Sequence, residues 1–189
     1  AASDVYKRQY NVMIGKSAGI HMQSGRSNIC MGYLAGQGTY NNCTGQYNIA
    51  IGESNLYKVQ SGSYNHVVGR YAGHSITTGS YNICIGDKAG AVNTYAGNAG
   101  DITTGSNNII IGKEAQASSA TVSNEITLGN TSIDKFRIPG LNITIDSNGI
   151  SDAKGNLRSL PQNNTTGSYT LVASDAGKHI RATGQITVS

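Results

Sequence analysis

Apolar residues recur along this chain in short triplets, each entered by an asparagine and left by a glycine. The copies are Asn11-Val12-Met13-Ile14-Gly15, Asn28-Ile29-Cys30-Met31-Gly32, Asn48-Ile49-Ala50-Ile51-Gly52, Asn65-His66-Val67-Val68-Gly69, Asn82-Ile83-Cys84-Ile85-Gly86 and Asn108-Ile109-Ile110-Ile111-Gly112, with a degenerate seventh at Glu125-Ile126-Thr127-Leu128-Gly129. In a strand, the residues one and three places after the asparagine project to one side and the middle residue to the other. The middle set, Met13, Cys30, Ala50, Val67, Cys84 and Ile110, is apolar, and so is the flanking set apart from His66. A strand that is apolar on both sides is expected to be covered on both sides. One side can fill the interior of the chain's own coil, and the other requires a partner.

The asparagine-to-asparagine spacings are 17, 20, 17, 17 and 26 residues, so the base period is 17. A second glycine stands three residues before the asparagine at Gly25, Gly45, Gly62, Gly79 and Gly105, and Ala-Gly follows the triplet at Ala18-Gly19, Ala35-Gly36, Ala72-Gly73 and Ala89-Gly90. Each repeat is therefore a short strand between turns. Seventeen residues are too few for a helical hairpin repeat and suit one coil of a parallel β-solenoid with strands about 4.8 Å apart. The recurring asparagine is expected to take the left-handed conformation at the strand entrance and to stack into an amide ladder, a structural role. A slender coil with one interior stripe is marginal alone, so several chains are expected to associate about a common axis.

Composition narrows the picture further. Only 13% of the 189 residues are charged and 6% aromatic, with 25 glycines, 2 prolines and no tryptophan. Low proline with 38% apolar residues is not the signature of disorder. The net charge of +4 is dispersed, so no nucleic-acid partner is expected. No stretch approaches a membrane span and the first residues lack the apolar segment of a secretion signal, so no membrane insertion is expected of this stretch. It reads as an internal piece of a longer protein.

At Asn48-Ile49-Ala50-Ile51-Gly52 the repeat resembles the coils of the left-handed β-roll head of trimeric autotransporter adhesins. The run Thr77 through Gly90, Thr-Thr-Gly-Ser-Tyr-Asn-Ile-Cys-Ile-Gly-Asp-Lys-Ala-Gly, is similar to repeats of phage tail fibres. The resemblance covers about residues 10–132 and implies a left-handed, parallel, homotrimeric β-roll. Downstream, Asp134 through Leu141 with Ile143 through Asp146 resembles the connector that closes such arrays in phage fibre proteins, and Leu160 through Asn163 with Tyr169 through Ile180 resembles the start of a small phage β module. Independently, Leu141, Ile143 and Ile145 alternate with Asn142, Thr144 and Asp146 as in a half-buried strand.

Candidate chemistry is sparse. Gly15-Lys16-Ser17 lacks the upstream glycine of a phosphate-binding loop, where Tyr10 stands. The histidines His21, His66, His74 and His179 and the cysteines Cys30, Cys43 and Cys84 show no metal-ligand spacing, so neither metal nor cofactor is expected. Cys30 and Cys84 occupy equivalent positions three coils apart, too far to bridge, whereas Cys43 falls in a loop and is expected to be the reactive thiol. The acids Asp87, Glu114, Glu125, Asp134 and Asp146 are scattered singly, so no catalytic pair is expected. Two repeats exceed the period, around 37–43 and 91–99. Insertions in a solenoid loop outward, which makes Tyr40, Asn41, Asn42, Tyr95 and Asn98 the hypothesised receptor contacts. Tyr10, Tyr47, Tyr64 and Tyr81 precede the asparagine and should form a row.

Taken together, the sequence predicts a leader of foreign or native origin over 1–9, a solenoid head over 10–132, connector strands over 133–150, and the start of a C-terminal β module over 151–189. The leading functional expectation is a non-enzymatic segment of a phage tail or appendage fibre: a homotrimeric spacer among other virion tail proteins, with recognition of a host-surface glycan or protein. The alternatives are the head of a bacterial trimeric surface adhesin, placed on the cell surface, and a polysaccharide depolymerase with a site between subunits.

Overall fold

The computed structural model describes residues 10–39, 43–91, 100–147, 149–152, 155–156, 162–165, 169–171, 179–182 and 186–188, with side chains described through residue 151. The fold is all-β and divides into two units, Ala1–Ser132 and Ile133–Ser189. The first is a parallel β-solenoid. Its strands are β1 (Val12–Ile14), β2 (Ile29–Met31), β3 (Ile49–Ile51), β4 (His66–Val68), β5 (Ile83–Ile85), β6 (Ile109–Ile111) and β7 (Ile126–Leu128). They form one seven-stranded sheet in sequence order, giving six coil-to-coil steps among the described residues.

Register holds across every step, so Met13, Cys30, Ala50, Val67, Cys84, Ile110 and Thr127 form one column. It holds even across the two longer repeats, where Cys30 faces Ala50 and Cys84 faces Ile110. Longer connections thus leave strand pairing untouched, because closing a longer loop adds little entropy. The hypothesised receptor contacts Tyr40, Asn41, Asn42, Tyr95 and Asn98 lie outside the described residues, as does the proposed leader, 1–9.

The coil interior is filled by the middle residues of the strands, fully buried from Cys30 to Ile110 and half-buried at the end coils in Met13 and Thr127, together with the fully buried Leu56, Val59, Ile76, Ile102, Ala35, Ala72, Ala89 and Ala115. Small side chains suit the alanine positions because neighbouring turns stack closely through backbone bonds such as Gly73 N–H to the Ala89 carbonyl at 2.8 Å; in the third coil Asn55 takes the place and donates from Nδ2 to the Val67 carbonyl at 3.1 Å. The strand-ending glycines are constrained twice over. At Gly52 the backbone has φ +133°, and an added Cβ would stand 2.6 Å from the carbonyl oxygen of Gly69 in the next coil.

The left-handed corner lies one residue earlier than the sequence suggests. It is not the asparagine but its predecessor, Tyr10, Ser27, Tyr47, Tyr64, Tyr81, Asn107 or Asn124, that has φ between 56° and 65°. The reason is the hydrogen-bond direction. Tyr64 N–H points back to the Gln46 carbonyl at 2.9 Å, whereas His66 N–H points forward to the Asn82 carbonyl at 2.8 Å. Reversing the amide direction within two residues requires a left-handed residue between them, and the asparagine is left extended so that its side chain enters the ladder.

In the second unit, β8 (Lys135–Ile138), a 3-10 turn at Pro139–Leu141, β9 (Ile143–Asp146), β10 (Gly149–Asp152) and β11 (Gly155–Asn156) follow in order. They form a four-stranded antiparallel sheet in the order β11-β10-β9-β8. The half-buried strand expected over 141–146 forms over Ile143–Asp146, with Ile143, Thr144 and Asp146 half-buried, and is corrected at Leu141 and Ile145. Leu141 belongs to the turn and is 65% exposed, and Ile145 is exposed as well. Ile145 lies opposite Phe136 and Ile150 within the sheet, which leaves its outer side open. Further along, β12 (Gln162–Thr165) pairs in parallel with β14 (His179–Ala182), and β13 (Tyr169–Leu171) with β15 (Ile186–Val188).

Candidate functional site

The recurring asparagines, buried from Asn28 to Asn108 and half-buried at Asn11, account for their own polar atoms. In Asn65, Nδ2 donates to Asn48 Oδ1 at 3.1 Å and to the Gly79 carbonyl at 2.9 Å, while Oδ1 accepts from Asn82 N–H at 3.0 Å and Asn82 Nδ2 at 3.1 Å. The same set runs through Asn28, Asn48 and Asn82; at the ends, Asn11 Nδ2 donates to the Gly25 carbonyl and Asn108 Nδ2 to Asn82 Oδ1 and the Val122 carbonyl. At the seventh coil Glu125 replaces the amide. Its N–H still donates to Asn108 Oδ1 at 2.9 Å, but its carboxylate turns aside to accept from Ser118 N–H and the Thr127 hydroxyl. Those donors hold its pKa below the ordinary carboxylate value. The ladder ends where the amide ends. With every amide group engaged, these asparagines are structural.

The outward face of the sheet is different. Residues one and three places after the asparagine, from Val12 and Ile14 to Ile126 and Leu128, occupy fourteen positions, thirteen of them apolar. Ile14, Met31, Ile51, Val68, Ile85, Ile111 and Leu128 are all exposed. Seven strands about 4.8 Å apart make this apolar stripe roughly 29 Å long. The one polar side chain on it is His66, also exposed.

A third feature is aromatic. Tyr47, Tyr64 and Tyr81 stack at 4.8 Å between successive centroids, three of the four tyrosines expected in the row; Ser27 at the same corner of the second coil separates Tyr10 from them. On the turns after the strands, a groove of about 420 Å³ is lined by Tyr33, Glu53, Tyr57, Lys58, Tyr71 and His74, among others. Tyr57 and His74 are stacked at 4.9 Å with planes 2° apart, and Tyr71 meets His74 at 5.9 Å and 56°. Burial, helped by the Lys58 charge, pushes the His74 pKa down to about 4, so the imidazole is neutral at physiological pH. Its Nδ1 is buried without a hydrogen-bond partner. Over Tyr71 lies the Arg70 guanidinium, 5.6 Å from the ring centre and paired with Asp87 at 2.9 Å.

None of these groove residues is a candidate on sequence grounds, because they come from three different coils. A faint signal exists: Tyr57 and His74 both stand five places after a strand glycine.

Cys43 corrects an expectation. It is fully buried, forms a parallel bridge with Met22, and has its thiol pushed up to about 11 by burial, so it is not a reactive thiol. Cys30 and Cys84 are buried and unbridged, with thiols pushed to about 12. Among the described residues no three His, Cys, Asp or Glu side chains are grouped to hold a metal ion, and no helix is long and apolar enough to cross a membrane. The chain matches no protein-family model, no curated protein and no solved structure.

Proposed function

We propose that this chain is a non-catalytic segment of a homotrimeric surface fibre, of the kind carried on phage tails, in which three left-handed solenoids meet along their outward strand faces. The observation that carries this reading is the stripe of thirteen apolar side chains at fourteen outward positions, nine of them exposed in the single chain and Ile29, Ile49, Ile83 and Ile109 half-buried. Isolated exposed apolar residues are ordinary, but a continuous stripe along a whole sheet marks a surface that is covered. The regular register makes the stripe straight, which suits a partner of equal length and identical spacing, namely another copy of the chain.

The strands over 133–150 then serve as the connector leaving the head, with Phe136, Ile138, Leu141 and Ile145 covered by sister chains. The assembly acts as a rigid spacer that joins other virion tail proteins and presents recognition surfaces to a glycan or protein on a host cell. Sedimentation equilibrium tests the assembly. Three chains of 19.7 kDa give a particle of about 59 kDa that persists on dilution. A stable 19.7 kDa monomer in dilute solution overturns it.

A further inference from the structure

We infer that the groove between Tyr33, Tyr57, Tyr71 and His74 is a saccharide-binding site on the side of the solenoid. This goes beyond the proposed assembly and does not depend on it, since all its residues belong to one chain and lie on the turns that follow the strands.

The coil register builds the site. Tyr33 follows β2, Glu53, Tyr57 and Lys58 follow β3, and Tyr71 and His74 follow β4. The parallel Tyr57–His74 pair and the inclined Tyr71 ring form an aromatic corner. The apolar C–H face of a pyranose packs against such rings, and its hydroxyls then need both donors and acceptors at the edge. Glu53 supplies an acceptor and Lys58 a donor, and neither is engaged in an ion pair among the described residues. At about 420 Å³ the groove lies within the range of small-molecule sites, about 300 to 1,000 Å³.

The rings are held rather than free to collapse. Tyr71 is covered by Arg70, which Asp87 anchors, and His74 is buried and neutral, so a sugar is not required to displace a bound counter-ion. An extended peptide fits poorly. Added strands bind through free backbone edges, and here those groups are already used: Ser54 N–H on the Tyr33 carbonyl at 2.8 Å, Tyr71 N–H on the Glu53 carbonyl at 2.8 Å, and Lys58 N–H on the His74 carbonyl at 3.1 Å.

The test is retention of the full chain on an array of bacterial-surface hexose oligosaccharides, read for the wild type and four variants, with sedimentation and circular dichroism on the same samples. The wild type is expected to retain at least one oligosaccharide. Tyr57→Ala and Tyr71→Ala should weaken it at least tenfold, and Tyr81→Ala, in the separate tyrosine row, should leave it unchanged. Glu53→Gln, an exposed side chain whose change keeps the shape, should weaken it about tenfold and decides the matter if a tyrosine variant fails to fold. The inference is overturned if no oligosaccharide is retained, or if Glu53→Gln binds like the wild type, or if Tyr81→Ala loses as much as Tyr57→Ala. A trimer that retains no sugar removes the groove and leaves the fibre reading intact; a monomer that retains one does the reverse.

Discussion

Replacing Asn65 by alanine removes one rung of the amide ladder from the middle of the solenoid. Four side-chain hydrogen bonds are lost, two donated by Nδ2 and two accepted by Oδ1. Some of the partners have alternatives. Asn82 Nδ2 keeps the Gly105 carbonyl at 2.9 Å, and Asn48 Oδ1 keeps the Asn65 backbone N–H at 2.9 Å. The Asn82 N–H and the Gly79 carbonyl lose the side-chain partner and sit in fully buried surroundings. Stranding a buried polar group costs about 1 to 3 kcal/mol, so the substitution should destabilise the fold by about 2 to 6 kcal/mol. At the half-buried first rung, water can replace the lost bonds, and Asn11→Ala should cost about 1 kcal/mol. Guanidinium unfolding monitored by circular dichroism reads both, as shifts in midpoint at unchanged slope. A loss below about 1 kcal/mol for Asn65→Ala, or one no larger than for Asn11→Ala, refutes the claim that the ladder holds the coils together.

Three further outcomes are expected. His74 stays neutral down to about pH 4 in the fold but has an ordinary value of 6.5, so the unfolded chain takes up the proton first. Stability should therefore fall as pH drops from about 6.5 to about 4 and level off below, by about 2 to 3 kcal/mol once solvent screening is allowed for; urea melts across that range should lose this slope in His74→Phe. Cys30, Cys43 and Cys84 should resist iodoacetamide at pH 8 in the native protein and all react after unfolding, because burial keeps each thiol protonated; fast labelling of Cys43 would contradict its placement. Ile85→Lys should dissociate the assembly while sparing the coil, since Ile85 faces outward and Cys84 inward; an unchanged sedimentation profile with this charge on the stripe would show that the face is not the seam.

The solenoid was legible because its period is written in residues that have no substitutes: glycine where φ is +133° against a neighbouring carbonyl, asparagine where an amide must both donate and accept one coil away. The two-sided apolar strands were legible for the same reason, since alternation in a strand has a fixed period of two. Residues 141–146 show the limit of that reasoning. Their alternation is real and Ile143–Asp146 is a strand, but Leu141 joins a turn and Ile145 stays exposed beside its cross-strand neighbours Phe136 and Ile150. Cys43 shows the converse: a residue between turn signals, with no apolar run around it, is drawn inside by a bridge to Met22 one coil away.

Sequence alone determined the coil length, the strand positions, the inward and outward sets, and the amide ladder, because each repeats at the interval that stacking imposes. Only the tertiary structure decided which residue takes the left-handed corner, which loop cysteine is buried, and that Tyr33, Tyr57, Tyr71 and His74 share one groove. Those outcomes depend on contacts between coils 17 or more residues apart, where hydrogen-bond direction and side-chain size settle what local spacing leaves open.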